Sequence, residues 1–367
     1  MALSHRENYL RNARREGPEW MPCTVALSGA TWNQLREDLE EVCARHPILF
    51  PGFAKGKRDF GKLAEEEVIY TPGSSITDAW GCVWEFPIDG LEGIVSGHPL
   101  ADWSALETWR PPDPLTQGDR GPVDWPTALA NVRKAKEAGS LTSGGTAHGY
   151  LFMRLYYLRG FENLMEDLAT GEPRLQKLID ILVEHNSVIV NQWLSAGVDI
   201  IEFAEDLGTQ TASCIGPKHF ARWITPAYSK LMQPAKQSNA LVALHSDGYI
   251  MDIMDELLVA GVDIINPQDL CNGIDNLARE VKGRACIRLD IDRQRIMPFG
   301  TRAEIRGLIE EEVRKLGSPE GGLEMIAGIY PPTPAENIDA LCDAMEEFRT
   351  YWWDGNGWRS MKGAQPG

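Results

Sequence analysis

The hexapeptide AGVDII occurs twice in this chain, at 196–201 and again at 260–265. Each copy closes an amphipathic helix, turns on a glycine and enters a short apolar run. Helix, turn and buried strand in that order build parallel sheets, because parallel strands need a long crossover, usually a helix. The same grammar continues through VDIIEF (198–203), LVALH (241–245), VDIINP (262–267), ACIRLD (285–290) and LEMIAGI (323–329), and CTVALS (23–28) reads as an early first strand. The periodicity of FENLMEDLA (161–169) and of PRLQKLIDILVEHNSVIVNQWLSAG (173–197) predicts crossover helices, and residues 3–16 predict a short helix closed by Gly17-Pro18.

The polar residues decide between an open sheet and a barrel. Nearly every strand run ends in them: EFAEDLGTQ, HSDG, NPQD and LDID. A (β/α)8 barrel builds its site from the C-terminal ends of many strands, whereas an open doubly wound sheet concentrates its ligand at one switch point. No GxGxxG follows the first strand and no GxxxxGK[ST] occurs, so dinucleotide and P-loop readings lose their support. The expectation is an α/β fold, a (β/α)8 TIM barrel, forming a single domain over residues 1–367. From 71 to 126 the chain is dense in Gly, Pro and Trp, which predicts an excursion that either packs as an insertion or covers the site.

Charge narrows the function. Acidic residues outnumber basic ones 53 to 36, a formal net charge of −17, which repels polyphosphate and argues against nucleic acid as a partner. Seven scattered cysteines without a CxxC pair fit reduced thiols, and no apolar run reaches the length of a membrane span. A cytoplasmic protein with no membrane partner is expected.

The candidate site residues are the strand-end side chains Glu202, Glu205, Asp206, Gln210, His245, Asp247, Asn266, Gln268, Asp290 and Asp292. Each alone reads equally as a helix cap or a solvated loop residue; on a barrel they converge on one mouth. His245 and Asp247 are the sharpest pair, because residues two apart on a strand share a face. They suit a divalent metal such as zinc, acid/base or hydrogen-bonding work, or a structural pair, and Cys271 is a possible further ligand.

FAEDLGTQTASCIGPKHFARWITPAYSKL, HSDG, LDIDRQ and GGLEMIAGIYPPTPAENIDAL, with RREGPEWMP ahead of the first strand, resemble the uroporphyrinogen decarboxylase superfamily over most of the chain. That resemblance implies the (β/α)8 barrel as well. The decarboxylases resemble one another in an arginine-containing segment after the first strand, where this chain has ALSGATWNQ. The thiol-methylating methyltransferases resemble a zinc pattern of His-x-Cys and a distant Cys, where this chain has His245, Asp247 and Ala327. Cysteine-ligated zinc is therefore not expected, and a metal, if bound, takes His245 and Asp247.

DAWGCVWE and HPLADW are similar to phrases of the corrinoid-dependent O-demethylases. The resemblance implies methyl transfer from a small methoxylated donor, aromatic ones included, to a Co(I) corrinoid on a separate corrinoid protein, since no DxHxxG corrinoid signature is present. A homodimer is compatible with this set of partners. His245, Asp247, Glu205 and Asp206 are then the catalytic candidates. Glu202, Gln210, Tyr249, Asn266, Gln268, Asp290, Asp292 and Trp84 are candidates for binding substrate. Two rivals remain: a decarboxylase or lyase acting on a small acid, favoured by an arginine pair such as Arg154 with Arg288, and a noncatalytic ligand-binding barrel.

Overall fold

The computed structural model of the chain describes residues 3–60, 72–87, 93–119 and 121–353. Seven strands carry the β/α repeat among them: β1 (Cys23–Leu27), β2 (Ser143–His148), β3 (Ile200–Asp206), β4 (Leu241–Asp247), β5 (Ile264–Pro267), β6 (Cys286–Asp290) and β7 (Leu323–Ile329). Six coincide with the apolar runs. The exception is β2, whose sequence SGGTAH carries no apolar run. By internal packing the chain divides into two units, residues 1–69 with 266–367, and residues 70–265.

In the first unit β1 pairs in parallel with β7, Cys23 opposite Met325, and β7 pairs in parallel with β6, Asp290 opposite Ile326. Apolar residues fill the β7 core positions, with Met325, Ala327 and Ile329 all but inaccessible. Two helices of this unit begin with a capping box, Ser4 with Glu7 and Thr301 with Glu304. Each box satisfies backbone donors that a helix start leaves open.

One feature of this core works against its stability. Glu312, on the helix Arg302–Leu316, is wholly buried and faces Asp269, itself 1 % exposed. Burial pushes the Asp269 carboxyl up to about 6, and burial with the neighbouring Asp269 charge pushes Glu312 well above the usual range. For an acid whose folded value is raised, the stabilising contribution is complete below the unfolded value and is lost as pH rises through the folded one. Glu312→Gln is therefore expected to be more stable than the natural protein at pH 8, by about 1–3 kcal/mol. The difference should vanish near pH 4. Urea unfolding at both pH values checks it, and equal behaviour of the two proteins at pH 8 would contradict the reading.

In the second unit β2, β3 and β4 pair in parallel. The long helix Pro173–Ser195 packs beside β2, where Trp193 donates its indole N–H to the Gly145 carbonyl at 2.9 Å. A Cβ on Gly144 would run into the Trp193 ring, and one on Gly145 into the Glu202 carbonyl. The glycines that hide β2 from a hydrophobicity reading are what let it pack this closely.

The described parts of the excursion, 72–87, 93–119 and 121–126, are folded and anchored. Ser74–Thr77, Val83–Phe86 and Ile94–Gly97 form a three-stranded antiparallel sheet. The phrase DAWGCVWE is organised by Asp78, whose carboxylate accepts from the Trp80 and Cys82 backbone N–H groups and from the Trp84 indole, at 2.8–2.9 Å. In HPLADW, the Trp103 indole donates to Asp167, which also holds Arg159 at 2.8 Å. Trp80 and Trp103 are buried.

Among the described residues no helix is long and apolar enough to cross a membrane.

Candidate active site

The C-terminal ends of β2, β3 and β4 lie side by side, and their register selects which side chains meet. His148 is opposite Ala204, Ala204 is opposite His245, and Asp206 is opposite Asp247. Register partners point to the same face of a sheet, and along β3 the residues Glu202, Ala204 and Asp206 share it. The methyl of Ala204 between the two histidines leaves them room to approach, and their rings lie 6.3 Å apart.

Two His–carboxylate contacts result: His148 Nε2 to Asp206 Oδ1 at 3.2 Å, and His245 Nε2 to Asp247 Oδ1 at 3.3 Å. All four side chains are half-buried, 26–36 % exposed, so they are reachable from solvent. His148, Asp206 and His245 each offer a ligand atom, all within 4.8 Å of one another. A tetrahedral ion with bonds of about 2.0–2.1 Å spans about 3.3 Å between its ligands, close to the observed His148–Asp206 separation. The nitrogen, oxygen, nitrogen donor set suits a borderline divalent ion.

The loops that present these groups are locked together by glycine. Gly248, the last residue of HSDG, has φ +81°, and a Cβ there would collide with the Gly208 carbonyl. Tyr249 N–H donates to the Thr209 carbonyl at 2.7 Å, and buried Ser246 accepts the Leu207 N–H at 2.9 Å. In HSDG, then, the His and Asp face the cluster, the Ser latches β4 to β3, and the Gly allows the two loops to touch.

Glu205 does not join the cluster. Consecutive strand residues face opposite ways, and Glu205 is wholly buried on the side away from Asp206. Its carboxylate accepts the backbone N–H groups of Leu151, Phe152 and Met153 at 2.7–2.8 Å, at the start of the helix Phe152–Arg159. Burial pushes this carboxyl up to about 7 against the opposing pull of those three donors.

Of the other predicted residues in this unit, Glu202 is half-buried on the cluster's face of β3, Tyr249 is half-buried, and Gln210 is exposed on the β3 loop. Trp84 spends its indole N–H on Asp78 and packs edge-on to Tyr157, 4.9 Å away. The remaining four lie in the first unit. Asn266 donates to the Arg288 carbonyl at 2.6 Å, and Gln268 bridges to Asp290. Asp290 faces Arg293 at 3.5 Å, and Asp292 caps the backbone N–H groups of Arg295 and Ile296. Cys271 is half-buried there as well.

Sequence reasoning missed His148 because it missed β2. The signal available was a polar residue at the end of a small-residue run that leads into a helix, as on the other strands.

The uroporphyrinogen decarboxylase (URO-D) family pattern matches residues 4–348. A curated uroporphyrinogen decarboxylase from Solibacter usitatus is 22 % identical over 192 residues, 52 % of this chain and 53 % of that protein. A methylcobamide:CoM methyltransferase from Methanosarcina barkeri is 23 % identical over 188 residues, 47 % of this chain and 49 % of that one. The chain thus spans about half the length of the curated relatives it matches. Among solved structures, a methyltransferase from Methanosarcina mazei superposes with a TM-score of 0.59 at 20 % identity, covering 94 % of this chain and 98 % of that one. This likeness shows the fold, the α/β barrel type expected from the strand pattern.

Proposed function

The chain belongs to the uroporphyrinogen decarboxylase family, and we propose that within it this protein is a methyltransferase. It moves a methyl group from the oxygen of a small methoxylated compound to the Co(I) corrinoid of a partner protein. Methyltransferases and decarboxylases both occur among the relatives. The observation that carries the choice is the cluster of His148, Asp206 and His245, a nitrogen and oxygen donor set rather than a thiolate one.

Methyl transfer from an ether breaks the C–O bond with its electron pair left on oxygen, while the methyl carbon bonds to the electron pair of cobalt(I). The nucleophile is supplied by the partner, so this chain has to place the methyl group and neutralise the departing oxygen. His148, Asp206 and His245 would hold a divalent ion, which would supply Lewis-acid chemistry when bound. Asp247 orients the His245 ring through its 3.3 Å contact. Glu205 positions this machinery from behind by tying β3 to the helix that follows β2.

The lyase alternative needs cations free for a substrate carboxylate. Arg154 is buried against Asp119 at 2.5 Å and Asp78 at 3.4 Å, and Arg288 is paired with Glu324 at 2.8 Å. Both charges are thus already matched by carboxylates of this chain, which favours the methyltransferase reading.

Mixing the purified protein anaerobically with Co(I) cobalamin and a panel of methoxylated compounds tests the reading. The expected result is donor-dependent formation of methylcobalamin, seen by its absorption spectrum, and its suppression by a chelator. No methylcobalamin from any O-, N- or S-methyl donor, together with carbon dioxide release from an acid, would move the assignment to the lyase.

A further inference from the structure

At the N-terminal ends of β6 and β7, away from the strand ends that carry Asp290 and Ile329, the first unit holds an open hollow of about 460 Å³. Its walls come from the end of the helix His5–Arg14, from the turn at Gly283 ahead of β6 and from residues 318–322 ahead of β7. A volume of about 300–1,000 Å³ is usual for small-molecule sites.

Arg14, Arg15 and Lys282 line the hollow against a single carboxylate, Glu320. Arg15 caps the first helix in the left-handed conformation, φ 59°, a position where glycine is the usual residue. An arginine kept there bears backbone strain, and what it gains is a fixed place for its guanidinium. Its stem lies along Gly322, where a Cβ would stand 3.1 Å from Arg15 Cγ. Its Nη1 reaches Gly283, where a Cβ would be 3.5 Å away, and Gly283 adjoins Lys282. Lys282 gives one N–H to the Lys315 carbonyl at 2.8 Å and has others to offer.

Two exposed cations thus share one wall, and among the described residues neither forms an ion pair. Other arginines of this unit are neutralised: Arg302 holds Asp339 and Asp343, and Arg306 holds Glu310 and Glu347. In a chain of formal net charge −17, adjacent cations without a carboxylate point to an anion from outside.

We infer that this hollow binds a small phosphate monoester, its oxygens taken by the Arg15 guanidinium and the Lys282 ammonium. The guanidinium presents paired N–H donors that match two phosphate oxygens, and the ammonium adds a point charge. A phosphate monoester carries about −1.5 to −2 at neutral pH, which matches two cations, whereas one carboxylate supplies half of that. No aromatic side chain lines the hollow, so a nucleobase has nothing to stack on. The inference stands on this end of the strands and not on the proposed reaction.

Calorimetric titration of the full-length protein at low salt tests it, with glycerol 3-phosphate as the probe and glycerate as the singly charged control. The phosphate is expected to bind at least about tenfold more tightly than glycerate. Arg15→Gln should weaken it about tenfold, and Arg15→Lys, which keeps the charge and loses the fork, should fall between. Glu320→Gln, which removes the opposing carboxylate, should tighten it a few-fold. His245→Ala should bind the phosphate like the natural protein, which separates this site from the methyl-transfer reading. No saturable binding, equal affinity for phosphate and glycerate, weaker binding by Glu320→Gln, or an undiminished affinity in Arg15→Gln with an unchanged melt would each overturn the inference.

Discussion

His245→Ala is expected to lower methyl transfer about a thousandfold while leaving the fold in place, and His148→Ala should do the same. Both side chains stand half-exposed at strand ends, so truncation opens no core cavity. Each variant removes one of three donors that lie within 4.8 Å of one another. If the cluster holds a divalent ion as proposed, the two donors left should not retain it, because stable sites of this kind have three or four ligands. Three measurements check the prediction together: the rate with Co(I) cobalamin, the metal content of the purified protein, and a circular dichroism melt. The decisive comparison is His148, since a pairing of His245 with Asp247 alone gives it no role. Full activity and full metal content in His148→Ala would dissolve the three-residue cluster. A melt shifted down strongly with specific activity unchanged would make His245 structural.

How far the sequence carried this picture depended on the kind of strand. Strands buried on both faces read as contiguous apolar runs, and β3, β4, β5, β6 and β7 announce themselves that way. β2 does not, because Gly144 and Gly145 replace side chains exactly where Trp193 and the Glu202 carbonyl press in. With β2 went His148, and with His148 the third donor of the cluster. The strand-end polar residues were legible as a set, and His245 with Asp206 does lie in the cluster. Their facing was not fully used: a strand alternates, so Glu205 and Asp206 cannot both serve the same site. Trp84 and Trp80 show the limit from the other side. Nothing in DAWGCVWE tells that Asp78 takes the Trp84 indole while the Trp80 indole goes to Asp119, since both carboxylates are gathered by Arg154, some 75 residues further along.

The facing of Glu205 leads to the second large effect. Glu205→Ala is expected to destabilise the protein by about 3–5 kcal/mol, because three buried backbone donors lose their acceptor together. Glu205→Gln should cost less, since its carbonyl oxygen still accepts, although its amide adds donors where donors already crowd. The per-molecule rate of folded Glu205→Gln should fall only a few-fold, through looser placement of Asp206 on the same strand. A proton donor at this position predicts the reverse: unchanged stability with a rate loss of a hundredfold or more. Denaturant unfolding alongside activity, each corrected for the folded fraction, separates the two. The structural reading is the stronger on geometry, because a carboxylate that is wholly buried and already engaged by three N–H groups at 2.7–2.8 Å would have to abandon a helix start in order to reach a substrate.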